Sequence, residues 1–327
     1  MARGDLTDEQ WALIEPHLPI AAVGPIPDLR KHFNAVMWRF RTGSPWRDLP
    51  SEFGPWQSTY DRFRIWVGQG TFQQLMEAVI AEAAARGETD MGLVSVDSAT
   101  SRAHHHAAGM ILEAEQLAAL EAAVESEKGA HRRNKSRERG SDNGERAERR
   151  RIRRRHRARL KAAELGRSRG GLTSKIHLAA DRRCRPLAFV LTPGQAGDSP
   201  QFVPVLERIK VRGPVGRPKT RPDAVAADKA YSSRRNRRYL RKRGIRGVIP
   251  EKVDQAANRK KRGSRGGRPV SHDVDLYTER NTVERCINRL RNWRGIATRF
   301  DKTPQSYEAG LHLCGAMLWL RSIAPHS

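Results

Sequence analysis

The chain has 327 residues, with 62 Lys and Arg against 36 Asp and Glu, a net charge of +26. Its three cysteines, Cys184, Cys286 and Cys314, are too few for a disulfide framework and too far apart for a zinc motif, so they read as buried apolar residues in a reducing compartment. The start Met1-Ala2-Arg3-Gly4-Asp5 has no apolar signal core and no stretch is long enough to span a membrane, so a cytoplasmic protein is expected. The cationic excess attracts polyanions, and phosphate contacts supply most non-specific DNA affinity. The same charge also suits a ribosome-associated basic protein. Hydrophobic residues, 38% of the chain, suffice for real cores.

Residues 5–88 read as helical. Thr7, with Gln10 three positions on, predicts a capping box, followed by an apolar stripe of Trp11, Ile14 and Leu18. Phe33, Val36, Met37 and Phe40 repeat at helical spacing. The turn-rich Gly43-Ser44-Pro45-Trp46-Arg47-Asp48-Leu49-Pro50 follows, and a third helix begins near Pro55 and Trp56. Helix, tight turn and a helix with polar early turns form the outline of a helix-turn-helix. Gln57, Ser58, Thr59, Arg62 and Arg64 are its candidate DNA contacts. A plain helical bundle with solvated arginines fits the same pattern.

The apolar run Leu93-Val94-Ser95-Val96 predicts a strand ending at Asp97. His104, His105 and His106 invite a metal, but no Cys or His stands at finger spacing, which favours a structural or DNA-facing role. One of the three could also polarise a water near Asp97. In the segment 111–165, Leu117, Leu120 and Val124 mark one face of an Ala- and Glu-rich helix. From Lys128 to Lys161 the net charge is +12. Blocks of like charge are disordered or partly helical until a polyanion binds, so this insertion reads either as a nucleic-acid clamp or as a solvated loop.

Leu172–Ala179 and Pro186–Thr192 predict two strands, Asp198 an N-cap for a helix through Leu206, and Ala224–Ala227 a strand ending at Asp228. A basic helix (Ser232–Arg243), a strand (Arg246–Pro250) and a basic flexible linker (Asn258–Pro269) precede a helix carrying Glu284. This alternation suggests a mixed sheet with helices packed on it. A carboxylate at the end of a buried strand is held rigidly at a sheet rim. Three such acids, Asp97, Asp228 and Glu284, suit a pair of magnesium ions and in-line attack on phosphodiesters.

Tyr277-x2-Arg280-x3-Glu284-x6-Arg291 resembles the signature around the catalytic glutamate of bacterial DDE-class insertion-sequence transposases, in the group related to insertion sequences 4 and 5. Arg291 stands where that signature often has Lys, so a planar fork replaces a compact ammonium. Val96-Asp97-Ser98 with Arg102-Ala103-His104, Gly166–Thr173, Ala227–Tyr231 and Arg294–Lys302 are similar to further family motifs. Leu6–Trp11 and Gly43–Pro50 resemble the family's N-terminal part. The similarity covers nearly the whole chain except 111–165.

The resemblance implies an α/β fold, with a ribonuclease-H-like mixed sheet flanked by helices at 89–327, and an N-terminal all-α helix-turn-helix-like domain at 1–88. The basic helical or disordered insertion, 111–165, interrupts the former. Asp97, Asp228 and Glu284 would be both catalytic residues and ligands of two Mg²⁺ ions, with Asp97 bridging them and Mn²⁺ able to substitute. Cleavage at the transposon ends would precede attack of the freed 3′-hydroxyl on target DNA. Tyr277, Arg280 and Arg291, placed on one helix face, and Lys229 would hold the DNA; Tyr231 suits DNA or packing equally. The implied partners are double-stranded DNA (transposon ends and target) and a second copy in a homodimer, at the bacterial nucleoid. A non-catalytic, decayed or domesticated DNA-binding protein is the alternative, and a nuclease that only cleaves is a third.

Overall fold

Thr7 and Gln10 do form the reciprocal cap: the Thr7 hydroxyl accepts from the Gln10 N–H and the Gln10 side chain accepts from the Thr7 N–H. They open the first helix of a computed structural model that describes residues 5–19, 26–131, 144–270 and 273–324. Four helices come first: α1 (Asp8–Ile14), α2 (Leu29–Thr42), α3 (Trp56–Gly68) and α4 (Thr71–Ala85). Phe33, Val36, Met37 and Phe40 are all buried on one face of α2, as their spacing predicts.

The sheet region follows as β1 (Leu93–Ala103), α5 (Ala114–His131), α6 (Gly144–Ala162), β2 (Gly166–Ser168), β3 (Gly171–Ala180), β4 (Pro186–Pro193) and α7 (Asp198–Glu207). It continues through β5 (Ala224–Ala227), α8 (Arg234–Lys242), β6 (Arg246–Val248), α9 (Val253–Lys261), α10 (Val274–Thr278), α11 (Asn281–Arg291), α12 (Arg294–Ala297), β7 (Thr298–Arg299) and α13 (Pro304–Ile323). β3 pairs antiparallel with β1 on one side and β4 on the other, whereas β5 joins β1, and β6 joins β5, in parallel. The order β4-β3-β1-β5-β6, with three antiparallel strands followed by two parallel ones, is a ribonuclease-H-like mixed sheet flanked by helices. β2 forms a hairpin with the start of β3, and β7 adds two residues beside the end of β1.

Several expectations need correction. The linker expected to be flexible from Asn258 is helical through Lys261 and forms a 3-10 turn at Gly263–Gly266, because the run from Val253 to Lys261 contains no Gly or Pro. Asp198 is not a cap: Gly197 is the N-cap of α7, and the Asp198 carboxylate turns towards β1 and β3. The insertion contains two helices packed on each other, with Arg154 and Arg155 paired to Glu121. Its residues 132–143, and the side chain of Val124, lie outside the described residues.

The hydrophobic core runs unbroken from the N-terminal helices into the sheet. Phe40, Trp66, Phe72 and Ile80 belong to one buried cluster with Leu178, Phe189, Phe202, Leu311 and Trp319. α4 packs along α13, and α2 reaches α13 and α12 through two glycines. A Cβ on Gly310 would stand 2.2 Å from the Phe40 ring, and one on Gly295 would stand 2.8 Å from the Phe40 carbonyl oxygen. Arg39 of α2 and Asp301 before α13 form a buried salt bridge, at 2.9 Å, across the same seam.

Candidate active site

Parallel pairing sets the first two acids. Val96 of β1 stands opposite Ala227 of β5, so Asp97 and Asp228 are the next residues in register on adjacent strands, whose spacing is about 4.8 Å. β5 stops there, while β1 continues because β3 goes on pairing with it as far as Arg102. Asp97 is therefore mid-strand, not at a strand end as expected, and sits where the parallel half of the sheet runs out. Asp228 caps a short 3-10 turn (Lys229–Tyr231), its Oδ1 accepting the Ala230 N–H at 2.6 Å.

The third acid reaches them through a guanidinium. The expected continuous helix breaks after α10, so Tyr277 lies on one short helix, Arg280 is the N-cap of α11 and Glu284 is in the first turn of α11. Arg280 thereby turns inward: one Nη donates to Asp97 Oδ2 at 3.0 Å and the other to Glu284 Oε1. Arg291, at the far end of α11, donates to the Thr100 carbonyl of β1 at 2.7 Å. Both arginines fasten α11 to β1. Lys229 is exposed beside Asp228, and Tyr277 packs, half-buried, against the small cluster of Leu93, Ala224, Ala226 and Val248.

Burial pushes the Asp97 carboxyl above its usual range; the Ser98 N–H and Arg280 oppose that rise, and Asp228 adds to it. All three acids offer hard carboxylate oxygens, and Asp97 and Glu284 have side chains 23% and 48% exposed. Such a donor set fits Mg²⁺. Among the described residues, the three acids do not gather their oxygens as closely as the imidazoles of His104, His105 and His106, whose ligand atoms lie within 4.8 Å of one another. Those histidines follow Ala103, roughly 20 Å along β1 from Asp97, too far to polarise a water there. His104 stacks on Phe300.

Beneath the acids lies a polar layer that sequence reasoning missed. Ser98 Oγ donates to Asp198 Oδ1 at 2.7 Å, and Lys175 Nζ donates to the same oxygen at 3.0 Å. His177, fully buried, shares a hydrogen bond with Thr192 Oγ1 at 2.9 Å, and burial pushes its imidazole down to about 4. Tyr231 is buried against Phe202, and burial, with the Asp97, Asp198 and Asp228 carboxylates, drives its phenol far above its usual value. Packing is thus the role its surroundings fit. Alternation along β3 was the available signal: Lys175 and His177 both fall on one face, where a strand buried on both sides would carry apolar residues.

The candidate DNA contacts of α3 are not equivalent. Gln57, Ser58 and Arg64 are exposed and Arg62 is half-buried, but Thr59 is fully buried and its hydroxyl bonds His32 Nδ1 at 3.0 Å. Thr59 is therefore no part of that surface, because α3 turns this side to α2. The three cysteines are free and buried, as read. Among the described residues no helix is long and apolar enough to cross a membrane.

Residues 88–319 match the family model described as a transposase DDE domain, and residues 6–76 match one described as a transposase of the IS4/5 family. The chain is 34% identical over 148 residues to a transposase named for insertion sequence element IS402 of Burkholderia cepacia, covering 45% of this chain and 63% of that protein. It is 32% identical over 150 residues to one named for IS6501 of Brucella ovis, covering 46% of this chain and 100% of that protein. A solved pre-cleavage Mos1 transpososome aligns over 93% of this chain and 82% of its own at 7% identity, with a TM-score of 0.20, too low to bear on the fold.

Proposed function

The chain belongs to the DDE-domain transposase family, and from that premise we propose that it binds the terminal inverted repeats of an insertion sequence, cuts there and joins the freed 3′-hydroxyl to target DNA. Asp97, Asp228 and Glu284 are the catalytic acids and would hold two magnesium ions, with manganese able to substitute. Bound there, the cations would neutralise phosphodiester charge and activate the attacking oxygen. The observation that carries the reading is the adjacency of Asp97 and Asp228 on paired strands, with Glu284 joined to Asp97 through Arg280.

The chain's own residues do the rest of the work. β1 and β5 hold two carboxylates at one rim, and α11 carries in the third. Arg280 holds Asp97 and Glu284 towards each other. Tyr277, Lys229 and Arg291 grip the backbone beside the scissile phosphate, and Gln57, Ser58, Arg62 and Arg64 of α3 contact the end sequence. The Arg-rich α6 clamps the duplex. Residues 1–88 serve end recognition and 89–327 the chemistry, in a homodimer that brings two ends together at the nucleoid.

The test is cleavage and strand transfer with magnesium on DNA carrying the element's own ends. Wild type should give both products, and Asp228→Asn should lose both by roughly 10³-fold while still binding DNA. Specific binding without product from wild type would replace this reading with the non-catalytic one. Cleavage without strand transfer would leave only a nuclease.

A further inference from the structure

Where the turn after α2 meets the end of β1, a cavity of about 710 Å³ opens between Trp46, Arg47, His105, His106, Phe300 and Lys302. No carboxylate lines it among the described residues. Arg47 and Lys302 are exposed, and the Arg47 guanidinium lies 5.7 Å over the Trp56 ring. Arg39 also lines the cavity. It is 4% exposed and its terminal nitrogens are taken by Asp301, yet its Nε–H is buried with no acceptor. Two exposed cations, two imidazoles and two aromatic rings converge on one space large enough for a nucleotide.

We propose that this cavity binds one phosphodiester of a DNA strand, with the adjoining sugar or base against Trp46 and Phe300. The proposal rests on the transposase reading for the identity of the polyanion. A DNA strand is favoured over a free nucleotide by where the cavity lies. β1 runs from Asp97 straight to Ala103, and His105 follows two residues on. At about 3.3 Å per residue the cavity is roughly 20–25 Å from the acids. Along one strand of a duplex, at about 3.4 Å per nucleotide, that corresponds to six or seven nucleotides. A strand cut at Asp97 and running along β1 would therefore carry one phosphate into the cavity.

The experiment uses the full chain and duplexes of the element's end, each with one neutral methylphosphonate, placed at successive positions around the cleavage site. Binding is measured without divalent cations, for wild type and for the Arg47→Gln/Lys302→Gln double variant. Both side chains are exposed, so the variant should fold, which an unchanged melting temperature checks. Wild type should lose about tenfold in affinity at one or two positions some six nucleotides from the cut. The variant should bind unmodified DNA more weakly, with a log–log salt slope shallower by up to about 2, and should lose nothing further at those positions. An unchanged salt slope, or equal sensitivity of both proteins at every position, would overturn the proposal. Because this experiment reads binding alone, a protein that passes it but gives no product in the cleavage assay would sink the catalytic reading alone. Metal-dependent cutting without position-specific coupling would sink the cavity alone.

Discussion

At Asp97 a local sequence signal and a buried environment act on the same side chain. The apolar run before it marked a strand, and the β1–β5 register then sets it beside Asp228. Burial raises its pKa, so at neutral pH the ionised carboxylate costs folding free energy. A carboxyl raised on folding stabilises the protein below its unfolded pKa and loses that contribution as pH rises through the folded value. Asp97→Asn, which mimics the protonated acid, should therefore melt above wild type at pH 7.5, and the gap should close on acidification through the raised pKa. Its activity should fall roughly 10³-fold over the whole range. Equal melting curves at pH 7.5 would show that Arg280 outweighs burial. His177 carries the opposite sign: held neutral with its pKa near 4, it contributes stability above its unfolded value of 6.5 and loses it as pH falls from there towards 4. His177→Gln should flatten that acid limb in a pH series of urea melts. The placement of Asp97 and Asp228 after paired strands was legible because each follows a short apolar run. Asp198 was misread because Gly-Asp-Ser-Pro has the form of a cap, and only the fold brings Ser98 and Lys175 to it.

Elements were legible where their period was uninterrupted and obscure where geometry breaks a continuous pattern. The strands flanking the acids and the helix of Phe33 and Phe40 follow from spacing alone. The residues from Tyr277 to Arg291 read as one helix, yet the break before α11 is what sends Arg280 into the site instead of outwards. Neither Gly nor Pro is present there to force the break; the backbone stays right-handed and tightens into i→i−3 hydrogen bonds between Tyr277 and Val283. The helix contacts likewise depend on a feature that propensity marks only as weak, the glycine of α13 at position 310. It faces the Phe40 ring, and an added methyl would stand 2.2 Å from that ring's Cε1. Gly310→Ala should destabilise the protein by roughly 1–3 kcal/mol despite the better helix propensity of Ala, because overpacking prevails. Phe40→Leu in the same chain should recover part of that loss. Additive destabilisation in urea unfolding would show that the two elements relax apart without meeting at this point.

For the molecule as a whole, periodicity says which face of each N-terminal helix is apolar but not what covers it. α4 and α13 are more than 200 residues apart in the chain, and their packing leaves no local trace. The consequence bears on how recognition and chemistry are joined. If residues 1–88 were an appended module, the remainder would fold alone; here α13 would lose α4, which packs along it, and the Phe40 ring and Met76 sulfur that lie against Gly310 and Gly315. Polar ties would break as well, among them Gln10 to the Ala324 carbonyl at 2.9 Å, Arg86 to the Ile323 carbonyl at 2.9 Å, and Arg39 to Asp301. Removing one partner of a buried ion pair alone costs about 3–5 kcal/mol, comparable with the whole stability of a small domain. The full chain should therefore unfold through its α2, α4, sheet and α13 core in one calorimetric transition, and the 89–327 fragment should be insoluble or rapidly proteolysed. Two transitions, one matching a folded 89–327 fragment, would contradict this. In a single cooperative unit, DNA held on α3 as proposed would be rigidly placed relative to Asp97, so the distance from the recognised sequence to the cut would be set by the core and not by a linker.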